Sequence, residues 1–128
     1  MIIKLYETKN SGGCGKIVGE VFWGGQKERI NTLDLFGENS EYFQILLKHG
    51  CLTRPEFIKY SNGKNCSGLF LQRPVRYSTP EELPDGIKAP QSWRYYEDYI
   101  IMSFHKIYSD SILSGTKIIE FRNRAPRL

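Results

Sequence analysis

Short apolar runs, broken by polar and glycine-rich segments, recur along the whole chain, and the period inside each run sets the element it predicts. Ile2 to Thr8 (IIKLYET) and Ile17 to Trp23 (IVGEVFW) are rich in β-forming residues and predict two strands of a hairpin. The connection between them, NSGGCGK, has three glycines in four positions, and Gly24-Gly25 predicts the end of the second strand. From Asn39 the period lengthens. Tyr42, Phe43, Leu46 and Leu47 recur at helical spacing up to His49, and Gly50 stands at the C-terminal cap position. Thr53 and Glu56 have capping-box spacing with Pro55 in the first turn, which predicts a second helix that stops at Gly63.

The remaining runs are short. Cys66 to Leu71 and Arg73 to Tyr77 predict two strands, the latter beginning at or lying on an edge because of Pro74. TPEELPDGIKAP predicts a surface loop, and Trp93 to Tyr96 and Tyr99 to Phe104 predict further strands. A short helix follows over His105 to Ser114, with Ile107, Tyr108 and Ile112 on one face, then Gly115 and a last strand from Thr116 to Arg122. Many short strands, two to three short peripheral helices and no βαβ rhythm predict an α+β fold around a small β-barrel.

Composition changes this picture little. A chain of 128 residues with 40% apolar and 25% charged positions is that of one folded domain, residues 1–128. Cys14, Cys51 and Cys66 are odd in number and show no CxxC spacing, so neither a disulfide framework nor a zinc site is expected, nor any cofactor. No apolar run spans a bilayer and the N-terminus lacks the apolar core of a signal peptide, so no membrane partner and a cytoplasmic location are expected. The net charge of +4 is concentrated at the two ends. Residues 1–30 carry five cations against three acids, and residues 91–128 carry six against four. Such an excess is compatible with a nucleic-acid partner without requiring one.

One segment concentrates chemistry: Gly115-Thr116-Lys117-Ile118-Ile119-Glu120-Phe121-Arg122-Asn123-Arg124, where a helix ends at glycine and a strand starts at once with Lys117, Glu120 and Arg122. FHKIYSDSILSGTKIIEFRNRAP, residues 104–126, resembles the signature of the ASCH domain, a branch of the PUA-like β-barrel superfamily. The matching features are an isoleucine-containing helix, the pattern G-x-K-x-x-E-x-R, and a basic residue with a proline after it. YETKNSGGCGKIVGEV resembles the strand, glycine loop and strand that follow this signature in the family. There the signature stands near the N-terminus. Joining Leu128 to Met1 restores that order, Tyr99 to Leu128 and then Met1 to Asp98, so the chain resembles a circular permutant. The two ends are then expected on one side of the barrel, within about 18 Å, the reach of a five-residue turn. The other explanation is a fragment that borrows a strand from a neighbour, as in a strand-swapped dimer.

The resemblance implies binding of RNA or a modified nucleotide in a cleft beside the barrel, lined by Lys117, Glu120, Arg122 and Arg124. It also implies an alternative, a small amidohydrolase or ribonuclease with Lys117 and Glu120 as catalytic residues. The deacetylating members carry a catalytic threonine at the position of Glu120, and this chain departs from them there. Geometry sets a condition on either role. In a regular strand Lys117 and Glu120 face opposite sides, so they share a cleft only if Lys117 precedes the pleat or a bulge intervenes. Other candidates are the loop KNSGGCGK, whose backbone amides with Lys9 and Lys16 offer a phosphate contact, and Trp93, Tyr95 and Tyr96 as stacking residues. Arg73 and Arg76 on the edge strand could extend a phosphate-binding face, and His105 either caps its helix or lines the cleft.

Overall fold

The computed structural model describes residues 1–128. Its strands are β1 (Ile2–Glu7), β2 (Ile17–Ile30), β3 (Cys66–Glu81), β4 (Trp93–Tyr96), β5 (Tyr99–Phe104) and β6 (Ile119–Arg122). The α-helices are α1 (Ser40–His49), α2 (Arg54–Ser61) and α3 (Lys106–Leu113). The strands form one sheet in the order β4-β5-β1-β2-β3-β6. All neighbours are antiparallel except β1 and β5, which run parallel from Ile2 opposite Tyr99 to Glu7 opposite Phe104.

The sheet curls into a half-barrel, so the α+β fold around a barrel-like sheet is as expected. No backbone ladder joins β6 to the far end of the sheet. A side chain spans the gap instead. Arg122 of β6 donates from its guanidinium to the Ser103 carbonyl on β5 at 2.7 Å and to Ser92 Oγ, just before β4, at 3.0 Å.

The two longest strands correct the expected boundaries. Gly24-Gly25 does not end β2; the register shifts between Trp23 and Lys27, with three residues of β2 (Gly24, Gly25 and Gln26) opposite Phe70 of β3, and Gly25 adopts φ +90°. The two strands expected at 66–71 and 73–77 are one. Arg73, at φ +52°, and Pro74 stand opposite Val21 in a bulge between β2 and β3, beyond the stretch that pairs with β6. At the other end, β6 begins at Ile119 rather than Thr116.

Two apolar clusters fill the structure. Ile3, Leu5, Val21, Trp23, Leu69, Ile100 and Met102 pack with Ile112 of α3 inside the curl. Leu46, Leu47 and Phe57 of α1 and α2 pack with Ile119 and Phe121 on the other side of β6. The expected capping box is present, with Thr53 Oγ1 accepting from Glu56 N at 3.3 Å and Glu56 accepting from Thr53 N at 2.9 Å. The two ends of the chain rest on one stretch of β2. The Met1 carbonyl accepts from Trp23 N at 2.8 Å, and the Leu128 side chain lies against Gly25. No helix is long and apolar enough to cross a membrane.

Candidate functional site

The junction from α3 into β6 decides what the signature residues can do. Thr116 N and Lys117 N both donate to the Ser111 carbonyl at 3.0 Å, and Ile118 N donates to the His49 carbonyl at 2.9 Å. The pleat begins only afterwards, at Ile119. Lys117 therefore escapes the alternation of the strand and turns to the same side as Glu120 and Arg122, while Ile119 and Phe121 enter the apolar cluster beneath the helices. The condition set by the sequence is met by the helix–strand junction.

The three charged side chains form one buried network. Lys117 is 2% exposed, and Glu120 and Arg122 are each 8% exposed. Glu120 sits in the middle, with Oε1 3.4 Å from Lys117 Nζ and Oε2 accepting from Arg122 Nε at 2.7 Å. Lys117 Nζ also donates to the Gly50 carbonyl and lies 5.2 Å from the centre of the Tyr108 ring. Gly50 belongs here for steric reasons. A Cβ at that position would lie 2.4 Å from the Phe121 ring, so only glycine lets the end of α1 come close enough to present its carbonyl to Lys117. Arg122 stacks on Phe104, 4.9 Å from the ring centre. No buried side-chain nitrogen or oxygen in the molecule lacks a partner. These are not solvated edge charges.

The network forms the floor of an open cleft of about 1090 Å³. Its walls come from the start of α3, from α2 and from the strap Ala89–Gln91. Four basic side chains line it, Lys9, Lys59, Lys117 and Arg122, against two acids, Glu56 and Glu120. Of the aromatic residues lining it, Tyr60 is exposed and Tyr108 half-buried, while Tyr6, Phe104 and Phe121 are buried. Burial raises the pKa of the Tyr60 and Tyr108 hydroxyls above the ordinary phenol value, and for Tyr108 the carboxylates Glu56 and Glu120 add to the effect. Both phenols thus remain neutral donors at physiological pH. Glu56 is held below the usual carboxylate range by the hydrogen bonds it makes with Thr53, foremost that from the backbone N–H.

Of the residues singled out from sequence, the structure brings Lys117, Glu120, Arg122 and Lys9 into this cleft, together with His105. His105 stands at the start of α3 but its side chain makes no capping bond; that role falls to Ser11, whose hydroxyl accepts from Lys106 N at 2.9 Å. Lys16 and Arg124 lie outside the cleft. Lys16 pairs with Glu82 at 3.2 Å, and Arg124 stands over the Trp93 ring at 5.5 Å. The amides of the glycines and of Cys14 in the glycine loop are bonded within it or to the adjoining Thr8 and Glu7. Gly12 N donates to Lys9 O, Gly13 N to Thr8 O, Gly15 N to Glu7 O, and Cys14 N to the buried Glu7 carboxylate at 3.1 Å. Its contribution to the cleft comes from Lys9 and Asn10. Trp93 and Tyr95 hold the C-terminal segment instead of facing the cleft: Trp93 Nε1 donates to Arg124 O at 2.8 Å, and Tyr95 Oη donates to Arg127 O at 2.6 Å. Arg73 lies over the Phe22 ring, and Arg76 pairs with Asp110.

Sequence reasoning missed Gly50, Tyr60, Ser92, Ser103 and Tyr108, which complete the site from distant parts of the chain. No group of three or more His, Cys, Asp or Glu side chains is placed to hold a metal ion. Cys66 lies behind the site and donates to Asn123 Oδ1 at 2.9 Å, and burial pushes its thiol up to about 11. At pH 8 a thiol reagent should therefore label the exposed Cys14 quickly and Cys66 only on unfolding. Since the folded value is raised from 9.0, this contribution to stability is complete below pH 9 and lost as the pH rises towards 11. Rapid labelling of Cys66 in the native protein at pH 8 would contradict that burial.

No family model, curated protein or solved structure matches the chain.

Proposed function

We propose that this cleft binds a nucleotide of single-stranded RNA, or a free modified nucleotide, in the manner expected of an ASCH-type, PUA-like domain. The observation that carries the reading is the buried Lys117–Glu120–Arg122 network at the floor of an open, aromatic-walled cleft whose rim adds Lys9 and Lys59. Each part suits one part of a nucleotide. The volume fits a small-molecule ligand, the Tyr60 and Tyr108 rings offer aromatic surface to a base, and the neutral phenols and the Glu120 carboxylate offer both kinds of hydrogen-bonding group. The excess of two positive charges in the lining favours an anionic ligand.

The ends of the chain support the permuted order. Both rest on the stretch Trp23 to Gly25, and β5 runs without a break where the ends of a family chain in its usual order would fall.

Geometry favours binding over hydrolysis. A nucleophilic Lys117 would have to leave the Gly50 carbonyl and Glu120, and a basic Glu120 would have to release two cations. Equilibrium titration with nucleoside 5′-monophosphates and a short single-stranded RNA tests the proposal. Saturable binding that weakens with salt is expected; absence of binding at millimolar ligand would overturn it. Turnover of acetylcytidine or cleavage of the RNA, lost in Lys117→Ala, would transfer the site to the hydrolytic reading.

A further inference from the structure

The strap Ala89–Gln91 that walls the main cleft also walls a second hollow, of about 480 Å³. Three of the residues lining that hollow are cations, Lys88, Arg94 and Arg124, and none is an acid. Some surface cations have carboxylate partners: Lys4 with Glu81, Lys16 with Glu82, Arg76 and Lys106 with Asp110. Lys88, Arg94 and Arg124 are all exposed, and none of them has one. They are unneutralised positive charges around a concavity.

The ridge between the two hollows is fixed rather than loose. Ser103 Oγ donates to the Pro90 carbonyl at 2.6 Å, Ser103 N donates to the Ser92 carbonyl at 2.8 Å, and Arg122 donates to Ser92 Oγ at 3.0 Å. The same arginine thus helps form the floor of the main cleft and pins the strap that separates it from the second hollow. Arg124 is also held in place, its carbonyl accepting from Trp93 Nε1 and its guanidinium lying over the indole.

We propose that single-stranded RNA crosses this ridge, with one nucleotide in the main cleft and the phosphodiester of an adjoining nucleotide among Lys88, Arg94 and Arg124. The preferred ligand is then an oligonucleotide, not a free nucleotide. This inference rests on the reading of the main cleft as a nucleotide site. A hollow of about 480 Å³ is ligand-sized, which suits a nucleotide unit better than a lone phosphate. Phosphate contacts of this kind fix position without reading sequence, so the second hollow would add affinity and leave base selection to the main cleft.

The test compares the four nucleoside 5′-monophosphates, the corresponding 5′-triphosphates and a mixed-sequence hexaribonucleotide at one low salt concentration. The hexanucleotide should bind at least about tenfold more tightly than the best monophosphate. In the combined Lys88→Gln, Arg94→Gln, Arg124→Gln variant that gain should vanish while monophosphate affinity stays unchanged. The slope of log affinity against log salt should fall by about 0.7, the value for one phosphate contact on a single strand. The Lys88→Gln, Arg94→Gln variant, which leaves Arg124 on Trp93, should lose part of the gain and so guards against a folding defect. A hexanucleotide no tighter than a monophosphate, a gain that survives the triple substitution, or triphosphates that match the hexanucleotide would each overturn the second site and leave the main cleft intact. No binding by any of the three ligand classes would overturn both.

Discussion

Replacing Arg122 by methionine is expected to cost about 3–5 kcal/mol of folding stability, the range for breaking a buried ion pair by removing one partner. The arginine is 8% exposed, and its guanidinium serves Glu120, the Ser103 carbonyl and Ser92 while covering Phe104. Methionine keeps the stem and its packing but leaves the Ser103 carbonyl without this partner, and leaves Glu120 with Lys117 alone. It also removes the only hydrogen bonds described between β6 and the β4–β5 end of the curl. Urea unfolding measures the loss, and the midpoint of thermal unfolding should fall by about 10–20 °C for a domain of this size. Arg122→Lys should lose much of the same stability, because an ammonium cannot present the planar fork that reaches Glu120, Ser92 and Ser103 together. A cost below about 1 kcal/mol would place the network in the class of surface pairs and remove its structural part in the account. Charge reversal at Arg122 would confound binding with folding, so the rim is the place to probe affinity.

The second large effect concerns that rim. Lys9 and Lys59 line the cleft, are exposed and have no carboxylate partner, so their substitution should leave the fold intact. The combined Lys9→Glu, Lys59→Glu variant turns the lining from two net positive charges to two net negative ones. Affinity for a short single-stranded RNA should fall by at least about tenfold at low salt. The remaining binding should also depend less steeply on salt, because two potential phosphate contacts are gone. Equal affinity in wild type and variant, with unchanged thermal unfolding, would show that the ligand's charge is not met at this rim.

The chemistry of the site was legible in the chain because its charged core is local. Lys117, Glu120 and Arg122 lie within six residues, and the alternation argument already required Lys117 to precede the pleat, which is where the helix–strand junction puts it. Its partners were not legible. Gly50 reads as an ordinary helix cap, Ser92 and Ser103 as loop and strand residues, and only the fold brings them to β6. The parallel pairing of β1 with β5 was equally hidden, since no local signal marks which strands meet. The bonding of the glycine loop was hidden for an identifiable reason. Its amides look free in sequence, but Glu7, spaced as a strand residue, turns its carboxylate back to Cys14 N and Ser109 Oγ. Gly24-Gly25 misled, because a bulge can carry two glycines through a strand that a sequence pattern would end there.

Backbone and side-chain NMR titration with a nucleoside 5′-monophosphate tests the central claim most directly, because it locates the ligand as well as detecting it. The account predicts saturable shifts at Tyr60, His105, Tyr108, Lys117, Glu120 and Arg122, weakened by added salt, with little change at the exposed Leu33, Phe36 and Ile45 outside the cleft. Saturable shifts confined to residues outside the cleft, or none at millimolar nucleotide, would contradict it.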